Sequence, residues 1–216
     1  MSSVCRIYSL ARGRLALAAV LMLAMSAIKA AGETPDVLIH TVTTSVLDTL
    51  RAQGDAVGKD QARLVALIEE KVVPYFDFRL MSAQVLGRHW RTASESQRGG
   101  FTAAFQQLLT NTYASVFGRY EGQTVNVLGV QDSGRPERVM VATMVHSPGK
   151  PDIRVDYRLY YAKGRWQIYD VVVDGISLLI NYRSEYGNAL AHGSMDSLIA
   201  RLNQKNADFQ AGGTKQ

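Results

Sequence analysis

Two carboxylates are the groups of this 216-residue chain that could most directly carry out catalysis. Asp156 and Asp170 lie on strands that we predict to be neighbours, and each is adjacent to a tyrosine. Such a pair could act as acid and base in an isomerase with a cone-shaped α+β fold. However, Asp156 alternates with apolar residues along its strand, so we expect it either to face solvent or to pair with Arg154 or Arg158. The isomerase is therefore kept as an alternative interpretation.

The other chemical groups form no recognisable catalytic or metal-binding motif. The four histidines are scattered without HExxH or His-x-His spacing, and the sequence contains no GxSxG, P-loop or GxGxxG motif. A metal site needs three or four ligands at suitable spacing. We therefore predict no catalytic residues, no metal and no cofactor, and we expect a binding protein rather than an enzyme.

Aromatic and aliphatic side chains are the more informative feature of the sequence. They recur every three to four residues up to Phe117 and every second residue after Gly122. These periods predict helices followed by strands that share an apolar interior. A fully packed core and a core with a cavity require the same pattern, so periodicity alone leaves both possibilities open.

Start and stop signals divide the chain into the elements that must position these side chains. Thr34 and Asp77 are predicted to cap helices, and Ser94 and Gln97 form a predicted capping box. The predicted helices span residues 34–53, 60–73, 77–87, 94–117, 177–191 and 194–203. The predicted strands span residues 124–130, 138–145, 153–161 and 166–173.

The order of these elements predicts an α+β fold. Short connections between consecutive strands, such as the turn at Lys163-Gly164, predict a four-stranded antiparallel meander. We expect this sheet to be curved, with the helices packed over one of its faces. By analogy with small cone-shaped folds, the helices and the sheet would enclose an apolar pocket.

Three segments resemble the MlaC family of periplasmic phospholipid-binding proteins, auxiliary components of ABC transport linked to toluene tolerance. The longest is VDYRLYYAKGRWQIYDVVVDGISLLINYRSEY (155–186), and the others are FDFRLMSAQVLGRHWR (76–91) and FQQLLTNTYA (105–114). The resemblance implies a lipid-binding domain over residues 31–207 that carries phospholipids across the periplasm. Its implied partners are a phospholipid ligand, an inner-membrane ABC transporter complex and an outer-membrane lipoprotein–porin complex. The implied pathway maintains the lipid asymmetry of the outer membrane.

The resemblance also selects, among the apolar side chains, those that we expect to contact lipid. The predicted lipid-binding residues are Phe78, Met81, Val85, Phe101, Phe105, Leu108, Leu109, Tyr113, Tyr157, Leu159, Trp166, Ile168, Leu179 and Tyr182. A related carrier of another apolar lipid, such as a hopanoid or a sterol, is a second alternative. We expect the protein to be a monomer and to bind no nucleic acid.

Carrying a phospholipid through water sets a requirement on the size of the pocket. Each methylene withdrawn from water contributes about 0.8 kcal/mol, so two tails with about 30 methylenes contribute about 24 kcal/mol. We therefore expect a pocket at or above about 1,000 Å³, the upper end of ordinary ligand sites. The phosphate would lie at the solvent edge. Arg88, Arg91 and Arg183 are candidate partners for it, although solvated surface charge is the expected role of each.

The first thirty residues are predicted to be a cleavable signal peptide that directs the protein to the periplasm. Three arginines precede an uncharged apolar run from Leu15 to Met25, which is too short to span a bilayer. An uncleaved membrane anchor is the alternative.

Cleavage would lower the number of basic residues from 24 to 20 against 19 acidic residues, so the net charge would fall from +5 to about +1. A nucleic-acid partner would then have no support from charge. Cleavage would also remove Cys5, the single cysteine of the chain. At the other end, residues 208–216 are predicted to form a flexible tail.

Overall fold

The computed structural model describes residues 33–54, 60–135 and 137–212. The predicted signal peptide (1–30) and residues 213–216 of the predicted tail lie outside these ranges. The described helices are α1 (Pro35–Gln53), α2 (Gln61–Lys71), α3 (Phe78–Leu86), α4 (Arg88–Thr92), α5 (Glu95–Phe117), α6 (Leu178–Ala191) and α7 (Met195–Gln210). The described strands are β1 (Thr124–Arg135), β2 (Arg138–His146), β3 (Ile153–Ala162), β4 (Arg165–Val173) and β5 (Ile176–Ser177).

Capping side chains set the starts of most helices. The carboxylates of Asp60 and Asp77 accept hydrogen bonds from backbone N–H groups in the first turns of α2 and α3. The predicted capping box of α5 is confirmed, because the side chains of Ser94 and Gln97 each accept a hydrogen bond from the other's backbone N–H. Thr34 is the N-cap residue of α1 as predicted, but the predicted capping by its hydroxyl is wrong, since its side chain makes no capping hydrogen bond.

The helical part of the chain contains more helix than the sequence predicts. The sequence pattern predicts neither the five-residue helix α4 nor the 3-10 turn at Val73–Tyr75, and the predicted helix 60–73 ends earlier, at Lys71. Helix α7 continues to Gln210, beyond the predicted end at residue 203 and into the first residues of the predicted tail. Within the described ranges, none of the helices is both long enough and apolar enough to cross a membrane.

The strands form one antiparallel sheet in which every strand pairs with the next along the chain. The predicted α+β fold with an antiparallel meander is therefore confirmed. The sheet has a fifth strand, however, which pairs with Val172 and Val173 after a turn at Asp174-Gly175. Both turn residues have positive φ, 46° and 82°, and they reverse the chain before α6 begins. A strand of two residues is too short for an alternating pattern to identify it.

Apolar side chains hold the helices against one face of the sheet and against each other. The sheet cluster joins α1 to the strands and contains Leu38, Ile39, Val42, Val141, Leu159 and Ile168, with Tyr157, Trp166 and Val171 packed beside it. The helical cluster joins α3, α5, α6 and α7 around Met81, Val85, Leu86, Phe101, Ala104, Phe105, Leu108, Leu109, Leu179, Tyr186, Leu198 and Leu202. The α2 cluster joins α1, α2 and α5 around Val46, Leu50, Leu64, Leu67, Ile68 and Ala114.

Asp77 connects the helical part of the chain to the sheet. Its backbone N–H donates to the carbonyl oxygen of Ile168 at 2.9 Å, and the residue before it, Phe76, forms a β-bridge with Ile168. Its carboxylate caps α3 and also accepts a hydrogen bond from the Tyr160 hydroxyl on β3. Burial and the neighbouring Asp77 carboxylate raise the pKa of Tyr160 to about 12, so the phenol remains a donor at neutral pH.

Two arginine–aspartate pairs lie along β3 and β4. Arg154 contacts Asp156 and Arg158 contacts Asp170, each at 2.9 Å. Asp170 is almost completely buried, and it also accepts hydrogen bonds from the Ser177 hydroxyl and the Leu179 backbone N–H. This carboxylate therefore fixes the start of α6 to β4.

Replacement of Asp170 by alanine should destabilise the protein by about 2–3 kcal/mol. The change removes the shared acceptor of Ser177 and Leu179 and leaves Arg158 without its partner. Breaking a buried ion pair costs about 3–5 kcal/mol, and we expect a smaller loss because the Arg158 side chain is 40% exposed. Urea unfolding followed by circular dichroism measures the difference.

Asp152→Ala is the matched control, because Asp152 is an exposed carboxylate that pairs with His146. This change should alter the free energy of unfolding by less than about 0.5 kcal/mol. Equal losses in the two variants would contradict the role assigned to Asp170.

Candidate functional site

The helices and the sheet enclose a cavity of about 590 Å³. Apolar side chains from both layers form most of its wall. They are Leu47, Leu50, Ile68, Val72, Val73, Phe76, Phe78, Met81, Leu109, Tyr113, Val116, Phe117, Val125, Val145, Ile153, Val155, Val171, Val173 and Leu178. Val116 and Ile153 are also exposed on the surface, so the cavity opens to solvent beside them.

Valines form most of the strand side of the cavity. Val155 pairs with Val173 and Val145 pairs with Ile153, and these residues line the cavity from the side of the sheet. Helix α5 faces them with Leu109 and Tyr113, which are four residues apart and therefore on one side of the helix. In the sheet cluster, by contrast, the longer Leu159 and Ile168 are almost completely buried beside α1.

The polar lining residues are concentrated at one end of the cavity. Arg119, Tyr120 and Gln123 lie in the connection between α5 and β1, and Ser147 and Lys150 lie in the connection between β2 and β3. A single further polar lining residue, the buried Thr110, lies within α5. The cavity described here is therefore apolar along the helices and strands and polar where two loops meet.

A salt bridge joins the two loops at the polar end. The Lys150 ammonium lies 2.7 Å from the Glu121 carboxylate, and both side chains are exposed. The hydrogen bond from Lys150, together with its positive charge, holds the pKa of Glu121 below its usual value, so this carboxylate stays ionised at neutral pH. Deeper in the wall, burial raises the pKa of Tyr113, which keeps this phenol neutral.

The structure brings four of the fourteen predicted lipid-binding residues to the cavity: Phe78, Met81, Leu109 and Tyr113. Six others, Val85, Phe101, Phe105, Leu108, Leu179 and Tyr182, pack in or against the helical cluster. The remaining four, Tyr157, Leu159, Trp166 and Ile168, pack in or against the sheet cluster. A role in lipid binding stays a prediction for all fourteen.

Sequence reasoning missed most of the cavity wall. Val155 lies two residues before Tyr157 on β3, so strand alternation places both on one face and could have identified it. The polar end gave no such signal, because its residues lie in two loops whose proximity no local pattern encodes. Arg88, Arg91 and Arg183, the candidates for the phosphate, are absent from the lining. The volume is also below the expected value of about 1,000 Å³.

Asp156 and Asp170, the carboxylates of the isomerase alternative, do not line the cavity. The predicted pairing of Asp156 with Arg154 is confirmed, whereas the solvent-facing option is wrong because Asp156 is buried. Each carboxylate is held by its own arginine. Among the described residues, no group of three or more histidine, cysteine, aspartate or glutamate side chains could hold a metal ion.

Comparison with known proteins gives consistent matches over most of the chain. A family model described as MlaC protein matches residues 40–204. The intermembrane phospholipid transport system binding protein MlaC of Haemophilus influenzae is 23% identical over 173 residues, which cover 79% of this chain and 81% of that protein. The toluene tolerance protein ttg2D of Pseudomonas putida is 24% identical over 179 residues, or 82% of each chain.

A solved structure shares the fold. It is the phospholipid-binding protein from Ralstonia solanacearum in complex with a phospholipid, and it matches with a TM-score of 0.74 and 25% identity. The match covers 81% of this chain and 98% of that chain. The arrangement of helices over an antiparallel sheet is therefore common to both proteins.

Enlarging a residue of the cavity wall should destabilise the protein less than enlarging one in the packed core. Val155→Phe adds a ring beside the unfilled space, and we expect it to change the free energy of unfolding by less than about 1 kcal/mol. Val141→Phe adds the same ring in the sheet cluster, where Val141 is fully buried, and should cost about 1–3 kcal/mol or more. Urea unfolding of both variants after delipidation measures the contrast, and similar losses would mean that side chains already fill the space beside Val155.

Proposed function

The chain belongs to the MlaC family, and we propose that it is a carrier that holds a phospholipid by its acyl chains. The observation that carries the proposal is the apolar cavity of about 590 Å³ between α5 and the sheet, with its polar residues at one end. A glycerophospholipid has the same division into an apolar and a polar part. The Ralstonia solanacearum structure of the same fold, which holds a phospholipid, supports this assignment.

The energetics of acyl chains explain why such a carrier needs a cavity. One chain of about 15 methylenes contributes about 12 kcal/mol when it leaves water, which is too much for unaided transfer between membranes. The carrier must offset this free energy and still release the lipid. We propose that the carrier binds the acyl chains about as favourably as a bilayer does. Partner proteins at each membrane would then shift the equilibrium towards loading or release.

The volume of the cavity has a consequence for loading. The cavity volume of about 590 Å³ is smaller than the volume of about 1,000 Å³ that we expect two complete tails to require. We therefore propose that the helical layer moves away from the sheet when lipid enters. The α2 cluster and the sheet cluster both border this space, through Ile68 and Val171, and both include residues of α1, with Val72 packed against each. Movement of α2 relative to the strands would widen the cavity, with α1 as the connection between the two clusters.

The cellular setting follows from the sequence and from the family. We propose that the first thirty residues direct export to the periplasm and are removed there. The mature protein then acts as a monomer and without catalysis. It passes phospholipid between an inner-membrane ABC transporter complex and an outer-membrane lipoprotein–porin complex, which maintains the lipid asymmetry of the outer membrane.

The mature protein purified from a Gram-negative periplasm should carry phospholipid in the cavity. Native mass spectrometry is expected to detect a bound mass in the wild type, and extraction should yield a glycerophospholipid. Val155→Phe should reduce the bound fraction at least several-fold, because the ring occupies space that a tail needs.

Val37→Phe is the matched control, since Val37 is exposed on α1 and is not part of the cavity wall. It should retain the wild-type bound fraction. A fused-ring lipid in the extract would favour the hopanoid or sterol alternative. Protein that is consistently empty, or equal loss in both variants, would count against the carrier.

Export gives a separate test of the proposed location. Expression of the full chain should give a periplasmic protein whose intact mass corresponds to removal of about thirty residues. Leu21→Arg places a charge in the apolar run and should leave the uncleaved 23.7 kDa chain inside the cell. A conservative Leu21→Val change should leave export unaffected. A wild-type protein that keeps its first thirty residues would contradict the proposed cleavage.

A further inference from the structure

We propose that the polar end of the cavity recognises the phosphate group of the lipid, with Arg119 as the residue that sets this specificity. This inference rests on the proposed function and adds to it the residue that recognises the phosphate. The carrier would bind phosphorylated lipids and discriminate against neutral lipids with the same tails. Groups beyond the phosphate would extend into solvent and have little effect on affinity.

The polar residues of the cavity lie where a lipid headgroup would be expected. Arg119 and Lys150 line the cavity from two different loops, with the side chains of Gln123 and Ser147 beside them. The salt bridge between Lys150 and Glu121 keeps these loops together. A lipid with its tails between α5 and the strands would therefore have its polar group at this end.

The charges at this end favour an anion. Lys150 is paired with Glu121, whereas among the described residues Arg119 has no carboxylate within 4.0 Å. The side chains of Arg119, Glu121 and Lys150 therefore leave one positive charge in excess. A guanidinium can donate two parallel hydrogen bonds to phosphate oxygens, which an ammonium cannot do in a fixed geometry.

A buried hydroxyl provides a second, independent observation. Tyr120 follows the exposed Arg119 in the chain, lines the cavity and packs its ring against the α2 cluster, and its hydroxyl oxygen is buried without a hydrogen-bond partner among the described residues. Buried hydroxyl groups in proteins are normally paired. In a glycerolipid an ester carbonyl lies between the phosphate and the tails, and its oxygen could accept a hydrogen bond from the Tyr120 hydroxyl.

A structural role is the competing explanation for Arg119. The residue follows the C-terminus of α5, where a cation stabilises the helix through its dipole. The same dipole opposes an anion at this position, so a phosphate bound here would need the positive charge of Arg119 to offset it. The two roles make different predictions, because a structural role would affect stability and leave the choice between lipids unchanged.

The test compares two soluble lipids with identical short tails, dioctanoyl phosphatidic acid and dioctanoylglycerol. Dissociation constants for both are measured by isothermal titration calorimetry on delipidated wild type, Arg119→Gln, Tyr120→Phe and Arg88→Gln. We expect the wild type to prefer the phosphorylated lipid at least about 10-fold, as a charge-assisted contact implies. Arg119→Gln should remove most of this preference by weakening binding of phosphatidic acid alone.

The other variants separate the two contacts. Tyr120→Phe should raise the dissociation constants of both lipids by a similar factor, about 3- to 10-fold, because both lipids contain the ester group. Arg88→Gln removes an exposed arginine outside the cavity wall and should leave both affinities unchanged. Loss of the preference in Arg88→Gln, or a lower melting temperature of Arg119→Gln with an unchanged preference, would overturn the inference.

Two further outcomes distinguish this inference from the proposed function. If the wild type binds the two lipids equally, phosphate recognition is overturned and the proposed lipid carrier stands. If the wild type binds neither lipid, phosphate recognition and the proposed carrier function are both overturned. Inorganic phosphate serves as a third ligand. Phosphate binding that depends on Arg119, together with equal binding of the two lipids, would identify a site for free phosphate and overturn the inference.

Discussion

An apolar space that side chains leave unfilled between α5 and the sheet is the feature on which the rest of the structure depends. Protein interiors are normally close-packed, because voids forfeit dispersion contacts with surrounding atoms. Here the sheet is covered tightly in the sheet cluster, where Leu38, Ile39 and Leu159 are almost fully buried, and is left uncovered where valines line the cavity. The surrounding clusters must therefore supply the stability that the cavity does not.

Polar contacts hold the walls of this space in position. Asp77 joins the start of α3 to β3 and β4 through Tyr160 and Ile168, and Asp170 joins β4 to the start of α6. Both carboxylates act at helix starts, where free backbone N–H groups are available. The helical layer is thereby fixed to the sheet at two defined points.

The sequence predicts the elements well because their signals are local. The capping box at Ser94, the cap at Asp77 and the change of apolar period after Gly122 each depend on neighbouring residues, and each predicted helix and strand has a counterpart in the structure. The location of the cavity is different, because it depends on distances between elements. Phe105 and Tyr113 follow the same helical period, yet Phe105 is completely buried in the helical cluster and Tyr113 lines the cavity. The polar end depends on the proximity of two loops, which the sequence does not encode locally.

Photo-crosslinking with a phospholipid that carries a diazirine midway along one tail would show most directly whether the tails occupy the cavity between α5 and the sheet. After irradiation of the loaded protein, mass spectrometry of its peptides identifies the residues that the tail contacts. If the tails occupy the cavity, labels are expected on its wall, at positions such as Tyr113, Val155 and Val171. Labels confined to residues of the helical cluster outside the cavity wall, such as Phe101 and Phe105, or to exposed residues such as Ile180 on α6, would contradict it.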